Sequence, residues 1–311
     1  MATGIDDAFG MAFYPPAAPQ YVYLSSPTSV VRVPYNGGDK QTVIADLSTG
    51  GGHTTRDLLF SPDGKYLYVA VGSGSNDAEG MGAAPQGWIA GHNTGEAWDS
   101  EAGRADLLRF TPDGHDRTVM ATGIRNCVTL GFRPGTGELY CSVNERDGLG
   151  DDLVPDYFSH IETGAFYGWP WFYLGNHQDP RHKGERADLS GKITVPDVLF
   201  ASHSAPLGFS FYQPPAGAAH AFPAGYDGDV FVALHGSWNR QKRTGSKLVR
   251  VLFKDGKPTG AYEDFMTGLV IDDHQVSGRP VGVAVGPDGA LYVSDDAGGR
   301  IWRIVPNSKT P

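Results

Sequence analysis

The segment Val281-Gly282-Val283-Ala284-Val285-Gly286-Pro287-Asp288-Gly289, followed by Leu291-Tyr292-Val293, sets the pattern for this chain. Two runs rich in β-branched and aromatic residues flank a Gly-Pro-Asp-Gly turn, which predicts two antiparallel strands joined by a tight turn. The same unit occurs five times along the sequence. The copies span residues 10–24, 58–69, 130–140, 207–232 and 281–293.

Further apolar strands follow in the same units, at residues 29–33, 106–110 and 300–304. Each unit is therefore a small antiparallel sheet of three or four strands, which cannot bury both of its faces alone. A radial arrangement buries the sheets against one another, and this is the β-propeller solution. A two-domain α/β protein is disfavoured because no amphipathic helical pattern is present. A single β-sandwich is disfavoured because the units are too widely spaced.

Two long segments, 72–104 and 144–200, depart from the repeat and are rich in Gly, Asn, Asp and aromatic residues. Long irregular segments inside a compact domain are usually functional or disordered. The stretch 166–173, Phe-Tyr-Gly-Trp-Pro-Trp-Phe-Tyr, is too aromatic for disorder, so we expect it to pack over one face of the propeller. We expect a single all-β domain over residues 1–311, with these two segments as loop excursions.

The bulk composition excludes several classes of function. The 25 Lys and Arg against 35 Asp and Glu give a net charge of −10, which repels a nucleic-acid backbone. No run of eighteen apolar residues is present, so we expect no membrane span. The first residues have neither the basic nor the apolar region of a signal peptide.

The two cysteines, Cys127 and Cys141, flank the turn at 134–137 and belong to one predicted hairpin. A turn centred there places Cys141 opposite Leu130, and alternation then puts Cys127 on the other face. We therefore expect buried free thiols in preference to a disulfide.

Polar side chains stand in the loops that lead into the repeats. They are His53, Arg125, His203 and Arg279, and His235 and Arg240 follow a strand of the fourth repeat. Arginine binds planar carboxylates bidentately, and histidine supplies a base that titrates near neutral pH. Equivalent positions on an acidic protein favour a pocket for an anionic ligand over simple loop capping.

The segment Asn144-Glu145-Arg146-Asp147-Gly148-Leu149-Gly150-Asp151-Asp152 is dense in oxygen donors. Such donors suit a hard cation such as calcium. The spacing is not that of an EF-hand loop. Composition alone is equally compatible with an exposed acidic turn and with a metal site.

Several motifs, in order along the chain, resemble those of the L-sorbosone dehydrogenases and of the wider group of soluble quinoprotein sugar dehydrogenases. The resemblance runs from about Phe9 to Arg303. The motifs that carry it are Gly51-Gly52-His53-Thr54-Thr55-Arg56-Asp57, Gly123-Ile124-Arg125-Asn126, Asn144-Glu145-Arg146-Asp147, Asp151-Asp152-Leu153-Val154-Pro155-Asp156, Phe166-Tyr167-Gly168-Trp169-Pro170, His235-Gly236-Ser237-Trp238-Asn239-Arg240 and Gly278-Arg279-Pro280-Val281-Gly282.

The resemblance implies a six-bladed propeller that holds pyrroloquinoline quinone (PQQ) and calcium and oxidises a sugar or a sugar-derived aldehyde. It implies that His53 is the general base and that hydride passes to the quinone. An external electron acceptor and a periplasmic or secreted location follow from it too. Arg125 and Asn126 are implied to contact the quinone, and the backbone carbonyls of Glu145 and Arg146 are implied to bind calcium. Arg279 is implied to bind a carboxylate. His235 and Arg240 are implied to bind the cofactor, because they lie where glucose-oxidising members have a lysine.

The family has a blade before the motif at residues 9–13, and only eight residues precede it here. Either the chain is an N-terminally truncated member, or five blades close a ring around a smaller channel. Two other functions use the same architecture. One is a calcium-dependent lactone hydrolase, which ligates its metal through side chains at the channel. The other is a non-catalytic propeller that binds partners through its loops.

Overall fold

A computed structural model describes residues 4–307 and consists mainly of five antiparallel sheets, each ordered along the chain as a blade. The first sheet has the order β1-β2-β3-β4, with strands Met11–Tyr14, Tyr21–Ser25, Val30–Pro34 and Gln41–Ile44. The second has the order β5-β6-β7-β8, with strands Leu58–Phe60, Leu67–Val71, Asp106–Phe110 and Thr118–Ala121.

The third sheet contains β9 (Cys127–Phe132), β10 (Leu139–Val143), β11 (Tyr157–His160) and β14 (Val198–Leu199), in the order β14-β11-β10-β9. The fourth has the order β15-β16-β17-β18, with strands Pro206–Phe211, Val230–Leu234, Lys247–Lys254 and Lys257–Met266. The fifth has three strands, β19 (Pro280–Val285), β20 (Leu291–Asp295) and β21 (Arg300–Ile304). The prediction of an all-β chain with five propeller blades is confirmed.

Helical structure within residues 4–307 is limited to short turns. The single α-helix, α1, spans Trp88–Gly91, and the 3₁₀ turns span Asp99–Glu101, Pro180–His182, Ala187–Leu189 and Ala224–Tyr226. Strands β12 (Phe172–Tyr173) and β13 (His177–Gln178) form a small separate pair. None of the helices in this part of the chain is long and apolar enough to cross a membrane.

The chain divides into two compact units. The first comprises residues 1–132, 137–141 and 160–196, and the second comprises 133–136, 142–159 and 197–311. The expected single domain over residues 1–311 stays a prediction, and its first three and last four residues lie outside the described range.

The core of the first unit lies between the first two sheets. Tyr23, Leu67, Val69 and Leu108 are each at most 2% exposed. Alternate residues of each strand point to this interface because side chains in a strand alternate between the two faces. Complete burial of one such side chain contributes about 1.5–3 kcal/mol, so this interface holds the two blades together.

The second unit has its own apolar core, in which Phe231, Leu248, Leu291 and Val293 are fully buried. Its inner strands β15 and β19 approach each other closely at a glycine. A Cβ atom on Gly208 would lie 2.6 Å from the Val281 carbonyl oxygen, so no other residue fits there without displacing the backbone. The glycine near the start of this repeat therefore permits the contact between blades.

The aromatic stretch at 166–173 is packed, as its composition indicates. Phe166 and Trp171 are at most 1% exposed and belong to one apolar cluster with Trp98 of the 72–104 excursion, within the first unit. The Trp98 and Trp171 ring centroids are 5.4 Å apart. The two excursions therefore share an aromatic core, whereas the expected packing over a propeller face remains a prediction.

The expectation of free thiols is wrong, because Cys127 and Cys141 form a disulfide between β9 and β10. Their Cα atoms are 5.9 Å apart, within the range that a disulfide requires. The prediction counted positions outward from the turn with an unbroken register. The disulfide shows that the strand register expected from the turn does not hold along the whole hairpin. Cys127 and Cys141 therefore lie on the same face of the sheet.

Candidate functional site

His53 lies in the loop that leads into β5 and is half-buried. Its Nδ1 atom is 3.0 Å from the carbonyl oxygen of Ser73 and 2.9 Å from the Ser73 hydroxyl. A neutral imidazole that donates from Nδ1 to this carbonyl carries its lone pair on Nε2. Ser73 therefore selects the tautomer in which Nε2 is the basic nitrogen.

Two buried arginines hold the backbone of this loop. Arg56 and Arg104 are each 1% exposed, and both donate to the carbonyl oxygen of His53, at 3.1 Å and 2.8 Å. Arg104 also donates to the carbonyl oxygens of Gly72 and Ser73, each at 3.0 Å. One guanidinium thus joins the His53 loop to the segment that anchors the imidazole.

Burial lowers the pKa of both Arg56 and Arg104. Desolvation, with a smaller contribution from the charge of Arg104, lowers the pKa of Arg56 to about 10. Desolvation also lowers the pKa of Arg104, while the nearby Glu101 carboxylate opposes this change. Both groups remain charged at neutral pH, so they bind the loop carbonyls with charged donors.

Arg125 and Asn126 adjoin the same segment in the first unit. The Nε and Nη2 atoms of Arg125 donate to the backbone and side-chain oxygens of Asn76, each at 3.0 Å. The backbone N–H of Ser73 donates to the Arg125 carbonyl at 2.7 Å. The structure therefore brings His53 and Arg125 to one segment, and their predicted roles stay predictions.

Gly72 allows this convergence. A Cβ atom at Gly72 would lie 2.5 Å from Oδ1 of Asn126 and 2.8 Å from Cβ of His53. The side chains of His53 and Asn126 thus flank a position that only a hydrogen atom fits. Thr55 Oγ1 donates to the same Asn126 oxygen at 3.4 Å, which fixes the amide orientation.

In the second unit, His235 and Arg279 contact each other. Arg279 Nη1 is 3.4 Å from His235 Nδ1, and His235 Nε2 is 3.1 Å from both carboxylate oxygens of Asp296. A guanidinium can only donate, so Nδ1 accepts and Nε2 carries the proton. The contact therefore places the Arg279 guanidinium beside the His235 imidazole, whose tautomer is fixed by Arg279 and Asp296.

Arg240 binds main-chain oxygens. It donates to the carbonyl oxygens of Asp151 and Ser202, at 2.6 Å and 3.1 Å, and approaches the Asp152 carboxylate at 3.3 Å. In this arrangement Arg240 ties the acidic loop to the segment before β15. Its predicted role in cofactor binding stays a prediction.

The acidic segment around Glu145 and Arg146 is ordered by Asp156. This carboxylate accepts from the backbone N–H groups of Glu145 and Ala205, each at 2.8 Å. The described residues contain no group of three or more His, Cys, Asp or Glu side chains suited to a metal ion. The resemblance assigns calcium to backbone carbonyls of Glu145 and Arg146, so this result does not test the predicted roles.

A polar network that was not predicted from the sequence supports this segment. His203 lies 3.0 Å from Asp147 through Nδ1 and 2.9 Å from the Gly150 carbonyl through Nε2. Asn239 Nδ2 donates to the same Asp147 carboxylate at 2.7 Å. The support by Arg104 was missed as well. The sequence carries no signal for the Arg104 contacts, because all of their acceptors are backbone carbonyls.

Together, these features define a β-propeller whose candidate functional side chains stand on the loops beside its strands. A family model described as TrAA12-like matches residues 8–155 and 171–307. The chain belongs to this family. The family match confirms the resemblance to soluble quinoprotein sugar dehydrogenases. Membership of the L-sorbosone dehydrogenase branch stays a prediction.

Two curated relatives share 34% identity with parts of the chain. An uncharacterised protein from Borreliella burgdorferi matches over 189 residues, covering 60% of this chain and 48% of the relative. A pyrroloquinoline quinone-dependent pyranose dehydrogenase from Coprinopsis cinerea matches over 177 residues, covering 48% of this chain and 22% of the relative. The matches thus span less than half of each relative's own length.

Solved structures share the fold. The holo pyranose dehydrogenase PQQ domain from Coprinopsis cinerea aligns with a TM-score of 0.72 at 21% identity, covering 96% of this chain and 81% of that domain. A Trichoderma reesei protein of carbohydrate-active enzyme family AA12 aligns with a TM-score of 0.70 at 20% identity, covering 94% and 79%. At this level of identity, the likeness is one of fold.

Proposed function

We propose that this protein is an oxidoreductase that uses PQQ and calcium to oxidise a sugar or a sugar-derived aldehyde. Membership of the TrAA12-like family and the similarity to a PQQ-dependent pyranose dehydrogenase support this function. The observation that carries it is the anchored imidazole of His53. Its Nδ1 is held by Ser73, and its backbone is held by two buried arginines.

The residues present fit the cofactor chemically. Arg125 and Arg279 supply guanidinium groups, which pair with planar carboxylates such as those that PQQ carries. The close approach of His53 and Asn126 across Gly72 supplies a base and an amide side by side. Calcium would be held by the backbone carbonyls of Glu145 and Arg146, on the segment ordered by Asp156. His235 and Arg240 are proposed as further cofactor contacts.

His53 performs the proton step in this proposal. Its Nε2 accepts the proton of a sugar hydroxyl or of an aldehyde hydrate, while Ser73 stabilises the Nδ1–H of the imidazolium that forms. A positioned base of this kind contributes about 10²- to 10⁴-fold to the rate. The quinone, polarised by calcium, would supply the redox chemistry and accept the hydride. An external electron acceptor would then regenerate the oxidised cofactor.

We also propose a periplasmic or secreted location. The Cys127–Cys141 disulfide supports it, because disulfides persist in oxidising compartments and are rare in the cytosol. Expression with and without export, followed by thiol labelling, tests this point. Free thiols in the exported protein would contradict it.

Reconstitution tests the proposed activity. Purified protein is titrated with PQQ and CaCl₂, and dye reduction is followed with glucose, sorbosone and other sugars. We expect activity that requires both additions and disappears with EDTA. Lactone hydrolysis without any response to PQQ would favour the hydrolase instead. Saturable PQQ binding with no turnover on any sugar or aldehyde would refute the proposed reaction.

A further inference from the structure

Trp238 is the most exposed large apolar side chain among residues 4–307, at 78% of its full accessible area. It lies in the loop between β16 and β17, residues 235–246, which belongs to the second unit. The chain has six tryptophans, and the other five are buried or half-buried. Packing within the fold therefore does not explain why an indole stands at this position.

The backbone on both sides of Trp238 is held in place. Ser237 is 2% exposed and exchanges hydrogen bonds with Thr244. Its N–H donates to the Thr244 carbonyl oxygen and its hydroxyl accepts from the Thr244 N–H, both at 2.9 Å. On the other side, Asn239 Nδ2 donates to the Asp147 carboxylate at 2.7 Å. The indole is thus presented on a fixed loop, so a ligand that covers it does not have to order the backbone first.

The loop also joins Trp238 to the candidate cofactor contacts of this unit. Arg279 Nη2 donates to the carbonyl oxygen of Ser237 at 3.5 Å, and Arg279 Nη1 is 3.4 Å from His235 Nδ1. His235 Nε2 donates to Asp296, whose side chain is 58% exposed. A carboxylate has lone pairs for several donors, so Asp296 can accept further hydrogen bonds from hydroxyl groups. An exposed aromatic side chain and a hydroxyl acceptor therefore lie on segments that Arg279 links.

The two guanidinium groups of this loop are already engaged. Arg240 Nη1 donates to the carbonyl oxygens of Asp151 and Ser202, at 2.6 Å and 3.1 Å. Arg243 Nη1 donates to the Ser237 carbonyl at 2.8 Å. An anionic ligand would gain a free guanidinium here only by breaking these bonds. A pyranose is neutral, its C–H groups form an apolar face that fits an indole, and hydroxyls at its edge can donate to a carboxylate.

We propose that Trp238 stacks on the pyranose ring of the substrate, beside the cofactor that Arg279 is proposed to contact. The inference rests on the proposed function and narrows its substrate class from sugars and aldehydes in general to cyclic sugars. The indole contacts the C–H face of the ring, and Asp296 accepts a hydrogen bond from a hydroxyl at its edge. An open-chain aldehyde has no such face, so Trp238 contributes nothing to its binding.

Substrate kinetics of the PQQ- and calcium-loaded protein test this preference. The substrates are glyceraldehyde, which is too short to form a pyranose ring, and D-glucose, D-mannose and D-xylose. Trp238→Ala should raise KM for each pyranose that the wild-type protein oxidises by about 2- to 10-fold, the effect of losing one aromatic stack. The value of kcat should stay nearly the same, and so should KM for glyceraldehyde. Trp238→Phe keeps an aromatic ring and should retain most of the affinity. A rise in KM that is equal for pyranoses and glyceraldehyde, or absent for both, would overturn the proposal.

The matched control is Ile301→Ala on β21, which truncates an apolar side chain that is 71% exposed in the same unit. Ile301 lies outside the loop of Trp238, so every KM value should match that of the wild-type protein. Far-UV circular dichroism checks that each variant is folded. If Ile301→Ala raised KM for the pyranoses as much as Trp238→Ala does, the effect would belong to surface apolar area in general and the stacking contact would be rejected.

Fluorine NMR follows the indole without relying on turnover. Protein labelled with 5-fluorotryptophan carries six reporters, one for each tryptophan, and the resonance that is missing in Trp238→Phe identifies residue 238. Titration with the three pyranoses should shift this resonance saturably, with and without PQQ and CaCl₂, whereas glycerol should not shift it.

The two measurements separate failure of the contact from failure of the reaction. If the loaded protein oxidises no sugar or aldehyde while a pyranose shifts the Trp238 resonance, the proposed reaction fails and the sugar contact stands. If a pyranose is oxidised while the resonance stays in place at saturating sugar, the contact at Trp238 is refuted and the proposed reaction stands. A protein that shows neither response refutes both.

Discussion

Replacing Arg104 by lysine tests whether the buried guanidinium holds the His53 loop. Arg104 makes five hydrogen bonds, all to main-chain oxygens. The acceptors are the carbonyls of Ser48, Gly50, His53, Gly72 and Ser73. A lysine ammonium keeps the charge but has only three donors on one nitrogen. At least two carbonyls must therefore lose the hydrogen bond that residue 104 donates to them.

The cost follows from those two lost bonds. A hydrogen bond to a charged group contributes about 1.5–3 kcal/mol. The lower value applies where water can reach the released carbonyl. Arg104→Lys should therefore lower the free energy of unfolding by about 3 kcal/mol, a large part of the total for a domain. Turnover should fall as well, because the His53 carbonyl is among the acceptors.

Urea unfolding followed by tryptophan fluorescence measures the change, with the cofactor-loaded protein assayed in parallel. The matched control is Arg109→Lys on β7, the strand that follows Arg104, where the guanidinium stacks on Tyr66 at 4.5 Å from the ring centroid. That variant should lose far less stability. If Arg104→Lys and Arg109→Lys unfold at the same urea concentration, the bonds to the loop carbonyls do not carry the stability assigned to them.

Three further predictions concern the base, the disulfide and the pH dependence. His53→Ala should lower kcat by about 10²- to 10⁴-fold while changing the Kd for PQQ far less, and an equal loss in both would indicate a binding role. Cys127→Ser should cost about 3 kcal/mol in urea unfolding, the value for a loop of about 15 residues; an unchanged midpoint would contradict it. Burial raises the pKa of Asp57 to about 6, against the bonds from Leu130 and Leu58 that lower it. Since the native state then holds a proton that the unfolded chain has lost, stability should fall as pH rises from about 4 to 6. Asp57→Asn should flatten that dependence, and a slope equal to that of the wild type would exclude this group.

The blades were predictable because strand pairing is local. Residues such as Val283 before the turn and Leu291 and Val293 after it are spaced for one face of a strand, so each hairpin is visible in a short stretch of sequence. The loops that carry His53 and Arg125 were selected as candidates for the same reason, since they precede those strands, and the roles of the two residues stay predictions. Position within the repeat was enough to select them.

Two features were not accessible from the sequence. The register across β9 and β10 depends on how the whole hairpin pairs, so counting from its turn misplaced Cys127. The hydrogen bonds of Arg104, which we call the clamp together with those of Arg56, join segments far apart in the chain. Their acceptors are backbone oxygens, which every residue possesses. No side-chain pattern marks such acceptors, so only the fold reveals them.

The clamp around His53 has a consequence for how this protein can change over time. Arg56 and Arg104 bind peptide oxygens, so the side chain at Thr54 can be exchanged without breaking these hydrogen bonds. Under the proposed function, the surface near the His53 imidazole can thus change to fit a different substrate while the proposed base keeps its place. In this architecture, the side chains that face a substrate can therefore change independently of the contacts that hold the His53 loop.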